Sequence, residues 1–156
     1  DVGIEIERKF LVVHDSWREQ VERSVAMRQG YLANTDRASV RVRRAGSEAY
    51  VNIKSMTLDV VRAEYDYSIP PDEADELLDR LCQPALIDKT RHYVRHAGHL
   101  WEIDVFEGAN RGLIVAEIEL PHPETAFERP RWCGAEVSSD ERYFNVYLAR
   151  HPYCDW

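Results

Sequence analysis

The feature that most constrains this chain is an alternation of ionic and apolar residues that recurs in segment after segment. Ile4, Ile6 and Phe10 point to one side of an extended backbone while Glu5, Glu7 and Lys9 point to the other. Val40 and Val42 likewise oppose Arg41 and Arg43, and Val51 and Ile53 oppose Asn52 and Lys54. Ala63, Tyr65 and Tyr67 oppose Arg62, Glu64 and Asp66, and Thr90 and His92 oppose Lys89, Arg91 and Tyr93. Ile103 and Val105 oppose Glu102 and Asp104, and Ile118 and Leu120 oppose Glu117 and Glu119. Period two is the signature of a strand, so the chain is β-dominated, with strands expected over 3–13, 27–34, 39–45, 48–55, 61–69, 88–96, 99–107 and 113–120. Short links rich in Gly, Asn or Asp at 34–36, 45–47, 97–99 and 108–112 make neighbouring strands antiparallel hairpins. Helices are expected over 15–23, 72–82, 123–128 and 140–150, packed outside the sheet, with Ser138 or Ser139 capping the last.

Eight carboxylates (Glu5, Glu7, Glu64, Asp66, Glu102, Asp104, Glu117, Glu119) and seven cations (Lys9, Arg41, Arg43, Lys54, Arg62, Lys89, Arg91) thereby share one sheet face, with apolar residues on the other. An open antiparallel sheet with a wet side would also alternate, yet such a side normally mixes in Ser, Thr and Gln. Carboxylates two residues apart sit about 7 Å apart on one face and repel unless cations intervene, which suits them to a divalent metal. Hard oxygen donors favour Mg²⁺ or Mn²⁺. Arginine and lysine pairs suit phosphate, the first by its planar fork and the second as a point charge. Both sets on one face describe a site for a metal-bound polyphosphate, and about eight strands make a barrel with room for little more than one small ligand.

The segment I-E-I-E-R-K-F-L-V at 4–12 resembles the E-x-E-x-K signature of the triphosphate tunnel (CYTH) family. Q-G-Y-L at 29–32, V-R-V-R at 40–43, I-K-S at 53–55 and R-A-E-Y-D-Y-S-I-P at 62–70 look like its next elements, in order. So do D-K-T-R at 88–91, E-I-D-V-F-E-G at 102–108, A-E-I-E-L at 116–120 and D-E-R-Y-F-N at 140–145. Asn52, where such sequences often carry threonine, and Asp66, shorter than the usual glutamate, depart from the pattern.

The resemblance implies a mainly β (α+β) fold, a closed eight-stranded antiparallel barrel with helices outside, and one domain over residues 1–156. It further implies metal-dependent hydrolysis of a triphosphate to diphosphate and phosphate, with inorganic tripolyphosphate favoured because the chain is most similar to compact bacterial inorganic triphosphatases. Lys9, Arg41, Arg43, Lys54, Arg62, Lys89 and Arg91 would hold phosphate oxygens. Glu5, Glu7, Glu64, Asp66, Asp104, Glu117 and Glu119 would hold one or two Mg²⁺ or Mn²⁺ ions. Tyr31, Lys54 and Lys9 would be catalytic, with Tyr31 as base if the ammonium of Lys54 favours its phenolate; a tyrosine that merely packs the barrel is the other reading. A class IV adenylyl cyclase, a thiamine or nucleoside triphosphatase, and a non-catalytic polyphosphate-binding module are the rival functions.

With 156 residues, 44% of them apolar, the chain can bury one core. A net charge of −8 argues against blanket binding of nucleic acid. Apolar runs of about four residues are far shorter than the roughly eighteen that span a bilayer, and no secretory leader is visible, so a cytoplasmic protein is expected. The first residue is Asp1, so something upstream could have been trimmed, and a homodimer is left open. Cys82, Cys133 and Cys154 read as reduced thiols. His92, His96 and His99 flank a turn on alternating faces and are not expected to share zinc; the four tryptophans read as packing residues. The Tyr and Phe stripe at 140–150 reads as ordinary core, a plug at one tunnel mouth being the alternative.

Overall fold

In the computed structural model, which describes residues 3–56 and 60–156 and the side chains from Ile6 onward, the alternating segments become strands of a single sheet. They are β1 (Gly3–Val12), β2 (Val21–Asn34), β3 (Ala38–Ala45), β4 (Glu48–Ser55) and β5 (Val61–Ser68), then β6 (Gln83–His96), β7 (His99–Phe106), β8 (Ile114–Glu119) and a short β9 (Cys133–Glu136). Their order is β5-β4-β3-β2-β6-β7-β8-β1-β9, with a further pairing of β5 to β1. That pairing, Gly3 to Ile6 against Glu64 to Val61, closes eight antiparallel strands into a barrel. Beyond it, β1 pairs with β9 instead, Phe10 facing Glu136 and Val12 facing Cys133.

Closure turns the ionic face inward. The outer face is covered in two places. Around β1, β6, β7 and β8, Phe10, Trp101, Ile103 and Ile118 pack under Trp17 and Trp132, all essentially buried. On β3 and β4, Val42 and Ala49 pack against Ala74 and Leu78 of α1 (Pro71–Arg80), whose start is set by Pro71 at its first turn. Gly30 of β2 is a space requirement here: a Cβ would stand 2.7 Å from Leu86 and 3.0 Å from Cys82. The β6–β7 hairpin turns on Ala97 (φ 49°) and Gly98 (φ 83°), the left-handed pair that a two-residue turn of this hand demands.

Several expectations are corrected. The helix over 15–23 is only a 3₁₀ turn at Ser16–Gln20, because Trp17 anchors it beside His92 and the backbone from Val21 is recruited by β6. The helix over 123–128 is absent: Phe127 inserts singly between Phe10, His99 and Trp101, an anchor that needs no helical period. The segment over 140–150 reduces to a 3₁₀ turn at Glu141–Tyr143, capped by Asp140 rather than Ser138 or Ser139, and the short α2 (Asn145–Leu148). Ser138 instead accepts a hydrogen bond from the Lys9 backbone N–H.

The inner face is not ionic throughout, as the alternation alone suggested. At one end the inward positions are apolar: Tyr31, Ile87, Phe106, Leu113 and Val115 pack against Leu148 and Ala149. The C-terminal segment therefore fills that end from inside, the plug that was the alternative reading of 140–150. Replacing the fully buried Leu148 by alanine should destabilise the fold by about 2–5 kcal/mol. The midpoint of urea unfolding measures this, and an unchanged midpoint would show that the plug is not part of the cooperative unit.

Candidate active site

The barrel encloses a cavity of about 600 Å³. Register sorts its charges by arc. Arg23 on β2, Arg41 and Arg43 on β3, Lys54 on β4 and Arg91 on β6 form a predominantly basic side, which also carries one acid, Glu48 at the start of β4. Glu102 on β7, Glu117 and Glu119 on β8, Glu7 on β1 and Glu64 and Asp66 on β5 form an acidic side, into which only Lys9 and Arg62 intrude among the described cations. The strand order produces this division, since β4, β3, β2 and β6 are contiguous, as are β7, β8, β1 and β5.

Most of the expected site residues therefore meet. Glu7, Lys9, Tyr31, Arg41, Arg43, Lys54, Arg62, Glu64, Asp66, Arg91, Glu117 and Glu119 all line the cavity. The side chain of Glu5 lies outside the described residues. Lys89 and Asp104 do not reach the cavity wall. They lie beneath it, Lys89 Nζ donating to Asp104 Oδ2 at 2.7 Å and Arg91 donating to both carboxylate oxygens at 2.8 and 2.9 Å. Burial alone would raise the Asp104 pKa, but the Arg91 and Lys89 charges hold it far below the carboxylate range. Burial, together with Arg91 and Arg43, pushes Lys89 down against the pull of Asp104. The three form the foundation that fixes Arg91, which also reaches Glu102 at 3.1 Å and Glu117 at 3.8 Å.

Other partners were not given a role by the sequence reading. Gln29, fully buried, accepts from Arg43 Nε at 3.1 Å and aims its guanidinium. Asn52 donates from one amide nitrogen to Glu64 (3.1 Å) and Asp66 (3.3 Å), its cross-strand partner, so both departures from the family pattern belong to one contact. Neither contact leaves a signal in the sequence, because each depends on which strands become neighbours. Tyr31 is buried, and that burial raises its phenol pKa despite Arg41, Lys54 and Arg43. The expected phenolate is thus disfavoured, because desolvation outweighs the cations.

Among the described residues no three carboxylate, histidine or cysteine side chains already stand in a metal-holding geometry. Their chemistry nevertheless fits a hard divalent cation. Burial and the neighbouring Glu7 raise the Glu117 pKa against the pull of Lys9 and Arg91, so two acids of the set that would hold the ion stand next to each other. His92 bonds to Ser24 and His96 to Glu128, whereas His96 and His99, expected on separate faces, are cross-strand partners at the hairpin end. Trp17, Trp101 and Trp132 are core, while Trp156 lies half-exposed against Tyr143 and Tyr153. No helix among the described residues is long and apolar enough to cross a membrane.

A closed barrel lined by facing acid and base arcs is the architecture of a polyanion tunnel, and the sequence places it: the CYTH domain model matches residues 3–153, so the chain belongs to the CYTH domain family. An inorganic triphosphatase of Acetivibrio thermocellus is 41% identical over 152 residues, covering 97% of each chain. An inorganic triphosphatase of Nitrosomonas europaea is 36% identical over 149 residues, covering 93% of this chain and 96% of that protein. A crystal structure of an inorganic triphosphatase superposes with a TM-score of 0.68 at 35% identity, covering 93% of each chain.

Asp104→Asn would leave Lys89 buried without its counter-charge and deprive Arg91 of its bidentate partner, and should cost about 3–5 kcal/mol of stability. Because the folded pKa of Asp104 is depressed, its contribution is complete above the ordinary value of 3.8 and disappears only as pH falls through the lower folded value. Thermal unfolding at pH 7 checks this; a melting point equal to the parent's would contradict the foundation role.

Proposed function

We propose that this protein is a divalent-metal-dependent inorganic triphosphatase, hydrolysing the terminal phosphoanhydride of tripolyphosphate to diphosphate and phosphate. The observation that carries this reading is the division of one enclosed cavity into a basic and an acidic arc. Phosphate binding needs the first arc alone, so the carboxylates argue for a metal and against a passive polyanion sponge. The names of the two relatives, each matched over more than nine-tenths of its length, favour inorganic triphosphate over nucleotide or thiamine substrates.

Glu7, Glu117 and Glu119, with Glu64 and Asp66 across the β1–β5 seam, would hold Mg²⁺ or Mn²⁺, and Glu5 is proposed with them. Such an ion neutralises phosphoryl charge and polarises the phosphorus toward attack. The chain's own residues supply the rest. Arg41, Arg43, Lys54, Arg91, Lys9 and Arg62 bind the non-bridging oxygens and hold the chain of phosphates in one orientation. Water attacks the terminal phosphorus, the bond to the bridging oxygen breaks, diphosphate departs with that electron pair, and the water's proton passes to solvent or to a phosphate oxygen. Preorganised charge within the barrel supplies most of the acceleration. Tyr31, as a neutral phenol bonded to Arg41, orients that guanidinium rather than removing a proton. Lys89 and Asp104 act beneath the wall by fixing Arg91. A cytoplasmic setting is in keeping with three thiols that remain free.

Phosphate release from tripolyphosphate, ATP and thiamine triphosphate, each with Mg²⁺, Mn²⁺ or chelator, tests the proposal. Tripolyphosphate should be the best substrate, chelator should abolish turnover, and Glu117→Gln should lower kcat by about 100-fold or more. Turnover that survives chelation, or full activity in the Glu117→Gln variant, would refute the metal reading.

A further inference from the structure

The two cations that intrude on the acidic arc share a neighbour, Phe144 of the D-E-R-Y-F-N segment, to which the sequence reading gave no role. Phe144, 6% exposed and lining the cavity, lies 4.3 Å from the Arg62 guanidinium carbon and 5.2 Å from Lys9 Nζ, measured to its ring centre. Both distances are within the range of cation–π attraction. Lys9 Nζ also donates to the backbone carbonyl of the preceding residue, Tyr143, at 3.0 Å. The segment carrying the ring is itself tied to β1 at the same residue: Lys9 N–H donates to Ser138 Oγ at 2.9 Å, and Val137 N–H donates to the Lys9 carbonyl at 2.8 Å.

Both cations have carboxylates close enough to draw them away. Lys9 is the cross-strand partner of Glu117, and Arg62 stands 3.8 Å from Glu7. A lysine or arginine that collapsed fully onto these acids would neutralise the acidic arc and withdraw two charges from the cavity. An aromatic face attracts a cation without claiming its hydrogen-bond donors, so the ring competes with the acids for the cation's position alone. A leucine of similar apolar character fills space but has no such face.

We propose that Phe144 is a positioning residue that holds Lys9 in the cavity, off Glu117, and steadies Arg62 beside Glu7, and thereby sets affinity for the polyanion. This role rests on the triphosphate reading of the site. Phe144→Leu and Phe144→Tyr, each checked for a parent-like thermal transition, are compared by calorimetric binding of tripolyphosphate in chelator and by kcat and KM for its hydrolysis with Mg²⁺. The leucine variant should bind tripolyphosphate about tenfold more weakly and raise KM by a similar factor with a smaller change in kcat. The tyrosine variant, which keeps the aromatic face, should restore both to within about twofold. Parent-like binding in the leucine variant, or equal losses in both variants, overturns the role. A parent protein that binds tripolyphosphate without hydrolysing it would overturn the triphosphatase reading and leave the role of Phe144 to be decided by the binding comparison.

Discussion

Every other feature of this protein depends on the enclosure of an ionic sheet face within a ring of strands. Desolvating so many charges is costly, and an isolated carboxylate or ammonium in that position would neutralise itself rather than stay ionised. The barrel avoids this by placing acids opposite bases and by locking one trio, Lys89, Asp104 and Arg91, into short charge-assisted hydrogen bonds below the cavity wall. At the cavity wall acids and bases also face each other, at 3.6 Å for Lys54 with Glu64, 3.8 Å for Arg62 with Glu7, and 3.1 and 3.8 Å for Arg91 with Glu102 and Glu117.

The interior is divided lengthwise as well as by arc. One end is packed by Leu148 and Ala149 against inward apolar residues, and this end gives the C-terminal segment a fixed seat. From that seat Phe144, Asn145 and Val146 form part of the cavity wall. A segment with almost no regular structure thus couples fold to site: its apolar contacts hold the barrel's end, and its aromatic ring meets two cations of the cavity.

Much of the site was legible because strand periodicity is local: once Glu7, Lys9, Arg41, Arg43 and Glu117 alternate with apolar residues, their shared face follows from geometry at each strand alone. Closure was not local. The pairing of Glu5 with Arg62 across the β1–β5 seam joins residues far apart in sequence, and only the family resemblance announced it. What the alternation concealed were contacts made after closure. The apolar end escaped notice because Ile87, Phe106 and Val115 continue inward-facing rows whose other members are ionic. Asn52 and Gln29 read as ordinary polar residues until the strands beside them supplied Asp66 and Arg43. The four-residue β9 has no alternation to detect, and the helix expected at 15–23 yielded to pairing with β6, a tertiary demand that overrides a weak helical period.

The central claim is that acids in this cavity carry metal while bases carry phosphate around one enclosed polyanion. Its most direct test is a crystal structure with Mn²⁺ and a non-hydrolysable triphosphate analogue, with manganese located by anomalous scattering. The account predicts manganese against Glu7, Glu117 and Glu119, and phosphate oxygens against Arg41, Arg43 and Arg91, inside the barrel. Manganese or analogue bound only on the outer surface, with the cavity charges paired to one another as before, would contradict it.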